Sequence, residues 1–275
     1  MHRRLRSYLP VVLAMSLAAM CAGCAARQSL RIPIVSADRL LGTVPAVHVE
    51  NWAGNVRVNV DETLTEPRVD ATLHGVPGSV VSQSEGVRPV LWIGAEVIEQ
   101  DGHSILRILS QKEPGADRHA ATDLVIALPR CQGTLIRNGG GDVTLVGVSG
   151  AVQVENGLES GRGGRIELRT DAPIAEPILL ANATGDIHFQ VSPAAAGQID
   201  AGTSDGRVRL VVRAGSIRNV IHDPSHWSGT LNGGTNPVTL RTRSGNIRLV
   251  VMPGARRHVP AHLPLPRLTR RTTAR

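Results

Sequence analysis

The chain has 275 residues, 41% of them hydrophobic and 29 of them glycine, but only 2% aromatic. It is long enough to bury a real core, and its composition suits thin aliphatic strands joined by tight turns better than an aromatic-rich binding face. The formal charge of +7 sits at the two ends: Arg3, Arg4 and Arg6 at the start, and Arg256, Arg257, Arg267, Arg270, Arg271 and Arg275 at the finish. Taking those nine from +7 leaves −2, which excludes the clustered basic face and stacking aromatics of a nucleic-acid binder.

The first residues, Met1-His-Arg-Arg-Leu-Arg6, precede an apolar run from Tyr8 to Met20 and then Cys21-Ala-Gly-Cys24. A positive start, an apolar segment too short to span a bilayer and a small-residue site predict an export signal over 1–23. Ala22-Gly23-Cys24 resembles a bacterial lipoprotein box, although Cys21 stands where that box prefers Leu. The resemblance implies that Cys24 is the lipidated first residue of the mature protein. Ala25 is not the aspartate that such sorting associates with inner-membrane retention, so the implied address is the outer membrane. Residues 24–45 are read as a tether with a first docking strand. Cys131 is then the one unmodified cysteine, which leaves no internal disulfide. Its surroundings, Leu-Pro-Arg-Cys131-Gln-Gly, offer no base to activate a thiol and predict a small strand residue.

From Ala46 the chain alternates apolar and polar residues, first in Ala46-Val-His-Val-Glu-Asn51 and again in Gly54-Asn-Val-Arg-Val-Asn-Val60, which is the period of strands. Further strands are predicted over Val69 to Leu73, Val90 to Ile98, Ser104 to Ser110 and Asp123 to Leu128, with a hairpin turn at Glu99-Gln-Asp-Gly-His103. Pro67, Pro77, Pro89 and Pro114 argue against helix in this region. It reads as an antiparallel piece that covers one end of a repeat array.

The array itself is carried by five related phrases. Gly141-Asp-Val-Thr-Leu, Gly164-Arg-Ile-Glu-Leu, Gly185-Asp-Ile-His-Phe, Gly206-Arg-Val-Arg-Leu and Gly245-Asn-Ile-Arg-Leu share one pattern, with glycine spacings of 23, 21, 21 and 39 residues. Units of about 21 residues predict an all-β fold, a β-solenoid or β-helix-like array, with a hairpin-built sandwich as the competing arrangement. The last step of 39 fits two units. Inward columns are Val143, Ile166, Ile187, Val208 and Ile247, then Leu145, Leu168, Phe189, Leu210 and Leu249, then Gly147, Thr170, Val191, Val212 and Val251. The array is assigned to 46–254. After Gly254 the alternation stops, and 255–275 is a Pro- and Arg-rich tail without period, read as disordered and able to touch an anionic surface.

Candidate chemistry is thin. A polysaccharide-cleaving enzyme on a β-helix would need two acids in one column. The column after the repeat glycine holds Asp142, Arg165, Asp186, Arg207 and Asn246. Stacked in order, these predict a structural charge ladder in which each acid faces an arginine about 4.7–4.9 Å away. The same arginines argue against a calcium site, although Asn138-Gly-Gly-Gly-Asp142 faintly resembles calcium-binding β-roll turns. His222-Asp-Pro-Ser-His226 could ligate a metal but lacks a third ligand nearby and reads as a solvated loop. No catalytic residue, metal or cofactor is predicted.

The phrases Asn182-Ala-Thr-Gly-Asp-Ile-His-Phe189, Thr203-Ser-Asp-Gly-Arg-Val-Arg-Leu210 and Thr242-Arg-Ser-Gly-Asn-Ile-Arg-Leu249 resemble the bacterial putative-adhesin family of β-strand repeat domains, related to head-GIN domains, over roughly Ala46 to Pro253. The resemblance implies a non-enzymatic lipoprotein whose β surface binds an envelope protein, a glycan or a surface at the outer membrane, facing the periplasm or the cell exterior. A glycan-active enzyme on a β-helix is the alternative.

Overall fold

The computed structural model describes residues 28–40, 42–74, 91–113 and 120–256, and these are all-β apart from one short 3-10 turn at Ala37–Leu40. In chain order the strands are β1 (Gln28–Ile32), β2 (Ile34–Val35), β3 (Ala46–Asn51), β4 (Val56–Val60), β5 (Arg68–His74), β6 (Leu91–Gln100), β7 (His103–Lys112), β8 (Ala121–Leu128), β9 (Gln132–Asn138) and β10 (Val143–Val146). They continue as β11 (Ser149–Asn156), β12 (Ile166–Thr170), β13 (Ile178–Thr184), β14 (Ile187–Val191), β15 (Gly197–Asp205), β16 (Val208–Val212), β17 (Ile217–His222), β18 (His226–Leu231), β19 (Pro237–Ser244) and β20 (Ile247–Val251). They form two sheets, ordered β1-β5-β8-β4-β10-β12-β14-β20-β16 (sheet A) and β17-β18-β15-β19-β13-β11-β9-β3-β7-β6-β2 (sheet B).

The middle of each sheet is parallel, and the two middles run in the same order. β7, β3, β9, β11, β13, β19 and β15 in sheet B are each followed in sequence by β8, β4, β10, β12, β14, β20 and β16 in sheet A. Each such pair is one rung, crossing from one sheet to the other. Alternation does the rest: Val47, Val49, Ile136, Val154, Leu180 and Leu240 point inward from sheet B and meet Val143, Ile166, Leu168, Ile187, Phe189 and Leu249 from sheet A, all buried. Each large aliphatic so buried contributes about 1.5–3 kcal/mol. The first two inward columns read from the repeats coincide with the observed register, for Val143↔Ile166, Ile166↔Ile187 and Ile187↔Ile247, and Leu145↔Leu168, Leu168↔Phe189 and Phe189↔Leu249, are Cα partners. In the third column Val212, expected inward, is exposed, because β16 is the edge strand of sheet A.

Rung order departs from sequence order at both ends. The rung β3–β4 lies inside the rung β7–β8, and the last rung, β19–β20, inserts between β13–β14 and β15–β16. The 39-residue step from Gly206 to Gly245 is therefore not two stacked units. It contains the antiparallel hairpin β17–β18, which pairs along the outer edge of β15. With that edge occupied, the returning strand β19 takes the other side of β15.

The predicted hairpin at 99–103 is present, closed by the pair Gln100↔His103 with Asp101 and Gly102 both at positive φ (53° and 77°), the twist that suits a two-residue connection. The region read as an antiparallel cover is mixed, because β7 and β8 run parallel to β3 and β4 and only β5 and β6 turn antiparallel. The range assigned to a tether contains β1 and β2, which pair with β5 and β6 at the sheet margins.

Beyond β20 the chain steps back across the ends of sheet A. Gln190 Nε2 donates to Ala255 O (2.6 Å), Ala255 N–H donates to Asp171 (2.6 Å), Arg256 reaches Gly147 O (3.4 Å), and its guanidinium lies 3.7 Å from Glu62. Ala255 is fully buried. The folded body thus runs two residues past the boundary drawn at Gly254, since buried polar groups in sheet A find their partners in this segment.

Candidate functional site

The rungs β3–β4, β9–β10, β13–β14, β15–β16 and β19–β20 pass from sheet B to sheet A through tight corners, and the corners stack. Gly141, at φ 108°, shows why glycine recurs there, for a Cβ at this position would stand 2.3 Å from Gly54 O on the next rung. Two polar columns border the glycines. The inner one is a row of buried asparagines. Asn51 Nδ2 donates to Asn138 Oδ1 (3.0 Å), Asn138 Nδ2 to Asn156 Oδ1 (3.0 Å), and Asn156 Nδ2 to Asn182 Oδ1 (3.3 Å). Asn138, Asn156 and Asn182 also cap corner carbonyls, as Asn138 does for Gly54 and Gly140 (both 3.1 Å), while Asn51 donates to Thr122 O in β8. Thr242 and Thr203 continue the column, donating to Gly185 O (3.0 Å) and Gly245 O (2.9 Å). The sequence reading missed this column. Its signal was an Asn or Thr three residues before most repeat glycines, obscured at Asn156 by the inserted residues 158–162.

The outer column contains Asp142, Arg165, Asp186 and Arg207, and it is not a charge ladder. Because β20 inserts between β14 and β16, Asn246 separates Asp186 from Arg207. The short carboxylates also find nearer partners than guanidinium groups. Asp123 Oδ1 accepts from Asn55 N–H (2.7 Å), Asn55 Oδ1 from Asp142 N–H (2.8 Å), and Asp142 Oδ1 from Arg165 N–H (2.7 Å). Asp186 Oδ1 accepts from Asn246 N–H (2.7 Å) and Asn246 Oδ1 from Arg207 N–H (3.1 Å). Each run stops at an arginine, whose side chain has no acceptor to offer the next rung. Alternating charge occurs instead on the outer face of sheet B. There Glu50, Arg137 and Glu155 are level on adjacent strands, Arg137 lies 3.7 Å from Glu155, and His48 lies 3.2 Å from Glu50.

The same outer face carries an open groove, bordered by Leu158, Ser225, His226, Arg241 and Arg243 and floored by Gly202. Two of its lining residues share Asp200 as a partner: the Arg241 guanidinium pairs with it, and His226 Nε2 lies 2.8 Å from it. The Arg241 hydrogen bond, reinforced by His226, holds the Asp200 carboxyl below its ordinary range despite partial burial. The segment read as a loop, His222 to His226, is a turn between β17 and β18 organised by Asp223, whose Oδ1 accepts from Ser225 N–H (2.8 Å) and His226 N–H (2.7 Å). Among the described residues no three His, Cys, Asp or Glu side chains gather to hold a metal. Cys131 is buried, and burial pushes its thiol up to about 11, so it is a packing residue at the start of β9 and not a nucleophile. Cys24 lies outside the described residues.

No protein-family model matches the chain, and no curated protein matches it in sequence. Among solved structures, it is similar to a putative cell adhesion protein from Clostridium sporogenes, with a TM-score of 0.42 and 10% identity over 83% of this chain and 100% of that one. It is also similar to a putative adhesin from Bacteroides fragilis, with a TM-score of 0.30 and 9% identity over 82% of this chain and 97% of that one. A putative lipid binding protein from Parabacteroides distasonis is similar with a TM-score of 0.29 and 12% identity over 81% of this chain and 96% of that one.

Proposed function

We propose that this chain is a non-enzymatic binding scaffold of the bacterial cell envelope, a capped β-solenoid of adhesin-like repeats anchored by a lipid on Cys24. The observation that carries the reading is the state of its acids. No carboxylate lines the groove among the described residues; Asp200 beside it is held by the lining residues Arg241 and His226, while Asp142 and Asp186 are engaged by neighbouring backbone N–H groups. Glycoside hydrolysis needs one carboxyl that keeps its proton near neutrality and a second free to attack or to activate water. Asp200, whose carboxyl Arg241 and His226 hold below its ordinary range, cannot supply the first.

A stack of rungs with a locked interior offers a long, rigid surface, the kind that repeat proteins use to bind extended partners. The partner on this reading is an envelope protein or a glycan. The membrane attachment is the N-terminal lipid, in the outer membrane, with the body facing the periplasm or the cell exterior. Arg256, the last described residue, lies beside Glu62, and on this reading the Arg-rich sequence that follows adds contact with anionic headgroups or acidic glycans, each basic residue contributing on the order of 1 kcal/mol at low salt.

The anchor is tested by Cys24→Ser, which is expected to move the protein to the soluble fraction and to abolish acyl labelling. Label that persists in the variant overturns it. Incubation with envelope polysaccharides tests the scaffold reading, and the appearance of new reducing ends overturns it.

A further inference from the structure

Only five aromatic residues occur in the chain. Phe189 and Trp227 are in the core, and Tyr8 lies outside the described residues. The remaining two, Trp52 and Trp92, are 49% and 45% exposed. They stand at the same end of sheet B. β6 runs antiparallel to β7 with Trp92 opposite Gln111. β3 runs parallel to β7 on its other side, Asn51 is level with Ser110, and Trp52 N–H donates to Ser110 O (3.0 Å). The two tryptophans therefore flank Gln111 from either side, two strand spacings or about 9–10 Å apart along the backbone.

Each ring has one face held by the protein. The Lys112 ammonium sits 5.1 Å from the centroid of Trp52, a cation–π contact that orients the indole. Trp92 lies back along its own strand over Gly94, where a Cβ would come within 2.8 Å of the ring's Cη2. The glycine thus leaves room for the ring to lie flat. Both indoles nevertheless remain about half exposed, in a chain that otherwise keeps its described aromatics inside.

We propose that Trp52 and Trp92, with Gln111 between them and Lys112 alongside, form a platform for the pyranose rings of an extended glycan. The C–H faces of a pyranose stack on an open indole face, and its ring-edge hydroxyls are hydrogen-bonding partners for an amide and an ammonium group. Both are placed here by β7, the strand between those that bring the tryptophans. An acyl chain would leave Gln111 and Lys112 desolvated without partners, which disfavours a lipid contact at this spot. The proposal rests on the binding-scaffold reading and names its site and ligand class.

The test uses the mature protein without mutation and with Trp52→Ala, Trp92→Ala and Gly94→Val. Chitohexaose, cellohexaose and maltohexaose are titrated in turn by calorimetry, and phosphatidylcholine–phosphatidylglycerol vesicles serve as the lipid probe. At least one hexasaccharide should bind saturably. Its affinity should fall about tenfold or more in each tryptophan variant and also in Gly94→Val, which tips Trp92 out of place while keeping it. Melting temperatures of the two alanine variants should match the unmodified protein. The platform is overturned if none of the three sugars binds, if all variants bind as before, or if vesicles bind through these tryptophans instead. Binding retained in the variants removes the platform and leaves the scaffold, whereas cleavage of a bound sugar with the tryptophan dependence intact removes the non-enzymatic reading and leaves the platform.

Discussion

Asn138→Ala is the sharpest probe of the corner architecture. Asn138 is buried, its Nδ2 donates to Gly54 O, Gly140 O and Asn156 Oδ1, and its Oδ1 accepts from Asn51 Nδ2. Truncation leaves two corner carbonyls and the Asn156 acceptor without this donor, while Asn51 keeps its bond to Thr122 O. At about 1–3 kcal/mol for each buried group left unpaired, and with partial relaxation, the loss should be about 3–5 kcal/mol. For a domain of this size that corresponds to about 6–20 °C in melting temperature. Asn138→Thr should cost roughly half as much, because a hydroxyl can still cap a carbonyl as Thr242 and Thr203 do in the same column. Thermal unfolding followed by circular dichroism reads both. A melting temperature for Asn138→Ala within about 2 °C of the unmodified protein would show that the asparagine row is ornamental and that apolar burial alone holds the rungs.

The outer column yields a test that separates two mechanisms. If side-chain acceptors for backbone N–H groups are what matter, Arg165→Asn should be stabilising by about 0.5–1.5 kcal/mol, since it supplies the acceptor missing opposite Asp186 N–H. A column held by charge pairs would instead be weakened, and a lowered melting temperature would refute the backbone account. Acid should destabilise the fold in two steps. Burial lowers the pKa of His48 below 6.5, so stability is full above that value and declines as pH falls through the folded-state pKa. Asp200 has its pKa depressed below 3.8, so its contribution is present above that value and disappears as pH falls further. Arg241→Ala should move the second decline to higher pH, and an acid-unfolding curve identical to that of the unmodified protein would refute the assigned role of Asp200.

Period-two alternation and the recurring glycine, although they did not reveal the β17–β18 hairpin, were enough to determine the repeat strands, two of their inward columns and the all-β class, because those features depend on local sterics and on which side chains leave water. Val143, Ile166, Ile187 and Ile247 are aligned as the repeats imply for that reason. The order of the rungs was decided only in three dimensions. Every repeat presents nearly the same edge, so nothing local tells β19–β20 to enter between β13–β14 and β15–β16, and the choice follows from the β17–β18 hairpin having occupied the outer edge of β15. That same choice separates Asp186 from Arg207 and turns an expected charge ladder into a column of carboxylates and amides on backbone N–H groups. Trp52 and Trp92 are forty residues apart in the chain, and only the pairing of β3 and β6 on opposite sides of β7 brings them to either side of Gln111.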